Sequence, residues 1–107
     1  MLTNSLRRAT SILVVDHDPT FRKGLRFSLT TSGYAVDIAR NAEEALEYVR
    51  RRPIDVVLLD IDMPGIGGVE ACRRIRAVRP KSLHTGSVQH GLDPSANSAR
   101  RLVLAGP

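Results

Sequence analysis

The chain has 107 residues and a formal net charge of +5, which allows one domain and excludes several independent cores. Arginine supplies nearly all of the positive charge. Such charge can bind an acidic partner such as nucleic acid, or it can belong to solvated helix surfaces; because the arginines are scattered along the sequence, the second interpretation is favoured. One cysteine excludes an internal disulfide, and no apolar stretch approaches membrane-spanning length, so we expect a cytoplasmic protein.

The first predicted unit is a strand followed by a helix. Residues 11–15 form a short apolar run, SILVV, that predicts a strand. Asp18 and Pro19 then predict a helix start, with an N-cap acceptor followed by proline in the first turn. Gly33 predicts its end. The apolar face of this helix is expected to contain Phe21, Leu25 and Leu29, which are spaced four residues apart.

The second unit repeats this pattern. Residues 34–39 alternate in polarity and predict a strand near the edge of a sheet. Asn41 predicts the N-cap of the next helix, and Glu44 lies three residues later as its capping-box partner. Pro53 ends that helix. Its buried stripe is predicted to comprise Ala42, Ala45, Leu46 and Val49.

The third unit contains the most informative run of the chain. Residues 54–59 form an apolar run, interrupted only by Asp55, that predicts a strand buried on both faces, and Asp60 lies where this strand ends. Glycines follow over residues 65–68, and a third helix is predicted over residues 69–78. Its inward positions are expected to be Val69, Cys72, Ile75 and Val78.

This βαβαβα order predicts an α/β fold, a partial doubly wound parallel sheet with helices on its faces. Asp16 follows the first strand as Asp60 follows the third, so both carboxylates are expected at one edge of the sheet, where ligands collect in such folds. Two parallel strands that deliver acidic groups to one edge predict a metal-assisted phosphate site.

Two segments carry a resemblance to a known family. Residues 12–19 read ILVVDHDP and residues 58–68 read LLDIDMPGIGG. They resemble the receiver (CheY-like) domain of bacterial two-component response regulators, over about residues 10–79. The resemblance implies a flavodoxin-like receiver fold, a sensor histidine kinase as partner, no membrane contact, and nucleic-acid contact only through a missing output domain. Members of this family take up one phosphoryl group, so we do not expect an enzyme.

The resemblance also implies roles for single residues. Asp60 matches the phosphoacceptor, which would receive a phosphoryl group from the kinase. Asp16, Asp60 and the backbone carbonyl of Asp62 match ligands of Mg²⁺, a hard ion that prefers oxygen. Pro64 and Gly68 match positions that shape the loop after the phosphoacceptor.

Three departures from the family pattern concern the same site. The second acidic position is His17, and because imidazole is a poor Mg²⁺ ligand, we expect either a weakened or altered metal site or a solvent-facing loop residue. Asp18 is favoured as a helix cap over a compensating ligand. The family also has a switch Thr or Ser and a lysine that neutralises the phosphoryl group, and neither is assignable here. Thr85 and Ser87 are not assigned as the switch residue, and the lysine role is not assigned to Lys23, Lys81 or Arg101.

The pattern changes at Pro80. Residues 10–80 are interpreted as an incomplete receiver domain, and residues 81–107 as a divergent, irregular tail in which strands 4 and 5 are not recognisable, as in a truncated or frameshifted chain. Without those strands the third strand becomes an exposed edge, and an inactive fragment is one of the two alternatives for this module, the other being a working receiver. Residues 102–105 provide one apolar run that is a candidate fourth strand beside the third.

Two alternative functions remain from the sequence. Asp60 and Asp62 after an apolar strand are also similar to the start of haloacid-dehalogenase-like phosphatases, although the residues that follow do not fit that motif. The arginines of residues 50–52 and 73–79 instead fit an Arg-rich nucleic-acid-interacting module, with few aromatic residues for stacking.

Overall fold

The computed structural model describes residues 9–78 in full and the backbone of residues 84–88 and 101–105. Five strands and three helices lie in these ranges. The strands are β1 (Ser11–Val15), β2 (Ala35–Ala39), β3 (Val56–Asp60), β4 (His84–Val88) and β5 (Arg101–Ala105), and the helices are α1 (Pro19–Thr31), α2 (Ala42–Arg51) and α3 (Gly67–Val78).

The five strands form one sheet in the order β2-β1-β3-β5-β4. β1 lies between β2 and β3 and is parallel to both, with Ile12 opposite Val36 on one side and Val56 on the other. Each pair of parallel strands is joined through a helix, as parallel strands require. The predicted α/β fold class with a partial doubly wound parallel sheet is confirmed for these three strands.

Local sequence signals set the start of α1. The Asp18 side chain accepts a hydrogen bond of 3.0 Å from the Thr20 backbone N–H, and Pro19 opens the first turn. At the other end, Gly33 has φ of 100°, a left-handed conformation that glycine adopts without strain. Both predicted ends of this helix are confirmed, and Asp18 serves as its cap.

The start of α2 differs from the predicted capping box in one detail. The Asn41 side chain accepts from the Glu44 backbone N–H at 2.9 Å, as predicted. The Glu44 carboxylate, however, accepts from the backbone N–H of Arg40 at 2.8 Å, one residue before the cap. It also accepts from the Arg40 guanidinium at 2.7 Å. These side-chain and backbone hydrogen bonds from Arg40 lower the pKa of Glu44.

The main core lies between the sheet and the pair α2 and α3, which pack against each other. α1 contacts β1 and β2 and makes no contact with the other two helices within the described part of the chain. No helix among the described residues is long and apolar enough to cross a membrane. The core cluster comprises Leu13, Val15, Ala39, Ala42, Ala45, Leu46, Val49, Ile54, Val57, Leu59, Met63, Ala71, Cys72 and Ile75.

The predicted inward face of α3 is partly wrong. Cys72 and Ile75 are buried, but Val69 is 67% exposed and Val78 is 38% exposed. The helix starts two residues earlier than predicted, at Gly67, and its buried positions are Gly68, Ala71, Cys72 and Ile75. The face therefore rotates toward Gly68, because a residue without a side chain can approach the backbone after β3 most closely.

The expected irregular tail is wrong for two five-residue segments, which form β4 and β5. β5 pairs antiparallel with β3, with Leu58 opposite Val103, so the apolar run at residues 102–105 does cover the edge of β3. β4 pairs antiparallel with β5 on its far side. The sequence missed β4 because HTGSV has little apolar alternation to signal a strand. The domain boundary at residue 80 stays a prediction.

Candidate functional site

Two buried carboxylates lie at the carboxyl edge of the sheet. Asp16 directly follows β1 and Asp60 is the last residue of β3, and each is only 1% exposed. β1 and β3 are parallel neighbours, with Val15 opposite Leu59. Asp16 and Asp60 directly follow Val15 and Leu59, so they meet at the same edge of the sheet, as the sequence predicted.

Both oxygens of the Asp60 carboxylate accept or share a hydrogen bond. Oδ1 accepts from the backbone N–H of Asp62 at 3.0 Å. Oδ2 lies 2.9 Å from Nδ1 of His17. The two contacts hold the carboxylate in one orientation, with its oxygens turned toward the loop after β1 and the loop after β3.

Asp16 is fixed through both its side chain and its backbone. Its Oδ1 accepts from the backbone N–H of Asp18 at 2.9 Å. Its backbone carbonyl accepts from Nη1 of Arg22 at 2.6 Å. Arg22 is itself 9% exposed, so a buried guanidinium from α1 clamps the residue that carries the carboxylate. Arg22 was not predicted as a site residue, because its only signal in the sequence is a charged residue close to the predicted apolar face of α1.

His17 lies between the two carboxylates. Its Nδ1 is 2.9 Å from Oδ2 of Asp60 and 3.9 Å from Oδ1 of Asp16, and half of the side chain is exposed. The three side chains offer one metal-ligand atom each, all within 4.8 Å of one another. The ring therefore belongs to the site rather than to a loop that only faces solvent. We call Asp16, His17 and Asp60 the DHD cluster.

The loop after β3 approaches the site through its backbone. The Asp62 side chain and Pro64 are exposed. Gly68 donates its backbone N–H to the Ile61 carbonyl at 2.9 Å. A Cβ placed on Gly68 would lie 2.4 Å from both the Asp60 carbonyl oxygen and the Ile61 Cα. Only glycine fits here without displacing the backbone of the residue that carries the carboxylate.

The residues considered for a switch and for a neutralising cation lie elsewhere. Ser87 pairs with Leu102 of β5, so β5 separates Thr85 and Ser87 from β3. Two strand spacings, about 10 Å, then lie between β4 and β3. Lys23 is exposed on α1, and Lys81 lies outside the described residues. Arg101, by contrast, is the register partner of Asp60.

Two buried carboxylates and an imidazole at the carboxyl edge of a βα sheet define a site suited to a divalent cation. A family comparison of the sequence agrees with this kind of site. The family model described as the response regulator receiver domain matches residues 12–89. The chain therefore belongs to the response regulator receiver family, as the sequence resemblance implied.

A curated relative and two solved structures show how far the similarity extends. The chain is similar to response regulator MprA from Mycobacterium leprae (strain TN), with 46% identity over 66 residues; the match covers 62% of this chain and 29% of that protein. It is also similar to response regulator protein TrrA from Thermotoga maritima in complex with Mg²⁺-BeF, with 43% identity and a TM-score of 0.63, over 67% of this chain and 63% of that chain.

The second structure contains TrrA in complex with the histidine kinase ThkA. Its matched chain is 44% identical, with a TM-score of 0.63, over 66% of this chain and 61% of that one. The curated relative is thus matched over less than a third of its length, and the solved structures over less than two thirds.

Proposed function

We propose that this chain is a phosphoacceptor receiver module of a two-component phosphorelay and that Asp60 accepts the phosphoryl group. The observation that carries the proposal is the position of Asp60, buried at the end of β3 beside Asp16 and held by two hydrogen-bonding partners. A buried carboxylate at the edge where two parallel strands end is placed to meet an anionic ligand through a cation.

The proposed step is a transfer between two nucleophiles. An Asp60 carboxylate oxygen attacks the phosphorus of a kinase phosphohistidine, forming an O–P bond as the P–N bond breaks. The electron pair of the broken bond stays with the leaving imidazole nitrogen, and the product is an acyl phosphate on Asp60. Attack requires a free lone pair on the oxygen. Each carboxylate oxygen has two, so the contacts from Asp62 and His17 leave one on each atom.

A divalent cation fits part of this site. Asp16 and Asp60 offer hard carboxylate oxygens, and we propose that these two side chains and the backbone carbonyl of Asp62 hold Mg²⁺. When bound, the ion neutralises negative charge shared between the carboxylates and the phosphoryl oxygens. His17 brings nitrogen to the same position, and we propose that Mg²⁺ binding is therefore weakened or altered.

The partner in this proposal is a sensor histidine kinase, supported by the similarity to TrrA, which forms a complex with a kinase of that class. We propose that the module takes up one phosphoryl group and is an acceptor rather than an enzyme, working in the cytoplasm. Any contact with nucleic acid is proposed to occur through an output domain.

The phosphatase alternative gains no support from the site. Its acid/base residue would be Asp62, but the Asp62 side chain is exposed and contacts Asp60 only through its backbone N–H. The nucleic-acid alternative also weakens. Arg50, Arg51, Arg73 and Arg74 lie near Glu47 and Glu70 on their own helices, as in solvated faces.

Phosphorylation by acetyl phosphate with a divalent cation, followed by intact-mass measurement, tests the proposal. We expect one phosphoryl adduct on the wild type and none on Asp60→Asn. Asp62→Asn is the matched control, because it changes a neighbouring carboxylate that is exposed, and it should keep the adduct. An adduct that survives in Asp60→Asn, or one lost only in Asp62→Asn, would contradict the assignment.

A further inference from the structure

The donor atoms of the DHD cluster differ from the all-oxygen set that Mg²⁺ prefers. Asp16 and Asp60 supply carboxylate oxygens, and His17 supplies an imidazole nitrogen. Mg²⁺ demands near-ideal octahedral geometry from oxygen ligands and keeps several waters. Two carboxylates with one imidazole instead form a mixed nitrogen and oxygen set that Zn²⁺, Co²⁺ and similar borderline ions bind well.

The distances within the cluster fit a small ion. Two ligand atoms that share one tetrahedral zinc ion, each about 2.0–2.1 Å from it, lie about 3.3 Å apart. Nδ1 of His17 lies 2.9 Å from one carboxylate oxygen and 3.9 Å from the other, values on either side of that spacing.

The surroundings favour a cation. Asp16 and Asp60 are each 1% exposed and offer ligand atoms within 4.8 Å of each other, so a cation shared by the two carboxylates would lower their mutual repulsion further than the Arg22 guanidinium at Asp16 does. The carboxylates are also oriented in advance, because backbone N–H groups of Asp18 and Asp62 hold one oxygen of each. Such supporting hydrogen bonds fix ligand geometry in metal sites.

We propose that the DHD cluster binds a borderline transition-metal ion of the Zn²⁺ or Co²⁺ type in preference to Mg²⁺, with Nδ1 of His17 as a direct ligand. The inference rests on the proposed function in placing the cation at the phosphoacceptor, but metal binding is measured without phosphotransfer. On binding, the Nδ1 lone pair goes to the metal, and the single ring proton resides on Nε2.

The test is a metal titration of the full chain. Co²⁺ is added while its visible absorption is followed, and Zn²⁺ and Mg²⁺ are then added as competitors. We expect Co²⁺ bound by the wild type to be displaced by Zn²⁺ and not by a large excess of Mg²⁺. His17→Asn should weaken Co²⁺ binding by about 10-fold or more, since the loss of supporting groups alone costs that much.

His17→Asp is the matched variant, because it supplies an oxygen in place of the nitrogen. We expect it to bind Mg²⁺ more tightly than the wild type and Co²⁺ more weakly, which narrows the preference for Co²⁺ over Mg²⁺. Cys72, His84 and His90 remain in all three proteins, so any metal that they bind contributes equally and cancels from the comparison. Far-UV circular dichroism checks that each variant is folded, which the half exposure of His17 favours.

Co²⁺ affinity that is unchanged in both His17 variants would overturn the inference, as would Mg²⁺ displacing Co²⁺ from the wild type at equal concentration. The outcome is separable from phosphorylation. If His17 variants lose Co²⁺ but no protein forms an adduct, the metal preference stands and the phosphoacceptor proposal fails. If Asp60 is phosphorylated while the His17 variants bind Co²⁺ as the wild type does, the phosphoacceptor proposal stands and the metal preference fails.

Discussion

At the scale of single residues, Gly68 is, among the described glycines, the one where an added side chain would meet neighbouring backbone most closely. A Cβ there would meet the backbone of Asp60 and Ile61 at 2.4 Å, and backbone atoms cannot rotate away as a flexible side chain can. We expect Gly68→Ala to lower the free energy of unfolding by about 1–3 kcal/mol, the range for overpacking. Urea unfolding followed by circular dichroism measures it.

Gly24 provides a matched control on α1, where nothing lies within 4 Å of the same added atom. Gly24→Ala should raise the free energy of unfolding by about 0.5–1 kcal/mol, because alanine is the better helix former. Equal effects of the two substitutions would show that the contact at Gly68 is absent in solution.

Much of the site at this scale was readable from the sequence. The caps at Asp18 and Asn41, and the meeting of Asp16 with Asp60, follow from local rules and from strand direction. The contact between His17 and Asp60 joins residues 43 positions apart, and it depends on how two loops lie against each other. Residue type alone therefore left His17 undecided between ligand and loop residue.

At the scale of elements, the ion pair at the start of α2 makes a prediction about pH. The pKa of Glu44 is lowered in the folded state by hydrogen bonds from Arg40, so ionised Glu44 stabilises the fold. This contribution is present above the ordinary pKa, about 4.3, and is lost as the pH falls through the lower folded value. Urea unfolding of wild type and Glu44→Gln should differ near neutral pH and converge in acid.

Glu43→Gln is the control for this measurement, since it removes the same charge from the same first turn of α2 without touching Arg40. Its effect reports the interaction of a carboxylate with the helix dipole alone. A Glu44→Gln effect no larger than that of Glu43→Gln, or one that persists unchanged in acid, would contradict the role of the Arg40 contact.

The direction of β5 has a consequence for the site. Because β5 runs antiparallel to β3, its first residue, Arg101, is the register partner of Asp60, whereas a parallel strand would bring its last residue to that edge. Under the proposed function, positive charge at the register position of Asp60 would favour formation of the acyl phosphate. We expect Arg101→Gln to lower the yield of the acetyl phosphate adduct by intact mass, relative to wild type.

Arg100→Gln is the comparison, because it removes the same charge one residue outside β5. Equal yields from the two variants would indicate a general effect of net charge and would remove the specific role of Arg101. The sequence showed the apolar run of β5, but strand direction depends on the chain path between residues 80 and 101, which carries no periodic signal. This is why Arg101 was not assignable from the sequence.

At the scale of the whole molecule, stability depends on how the sheet is completed. A domain of this size is stable by only about 5–15 kcal/mol, so an uncovered strand edge is a large loss. β5 lies between β3 and β4: β3 pairs with β1 and β5, and β4 pairs with β5. The three-stranded unit of β1, β2 and β3 therefore relies on β5 to protect the backbone groups of β3.

Deletion of residues 101–107 tests this dependence. It removes β5 and detaches β4 from the sheet. The backbone N–H and C=O groups of β3 that pair with β5 are then open to other chains. We expect the shortened protein to lose its cooperative urea transition and to elute as aggregates in size-exclusion chromatography. Deletion of residues 106–107 alone leaves β5 intact and should behave as the full chain does. A monomeric 101–107 deletion with an unchanged unfolding midpoint would contradict this dependence. It would mean that β1–β3 and the three helices fold without β5, and that the parallel strands alone position Asp16 and Asp60.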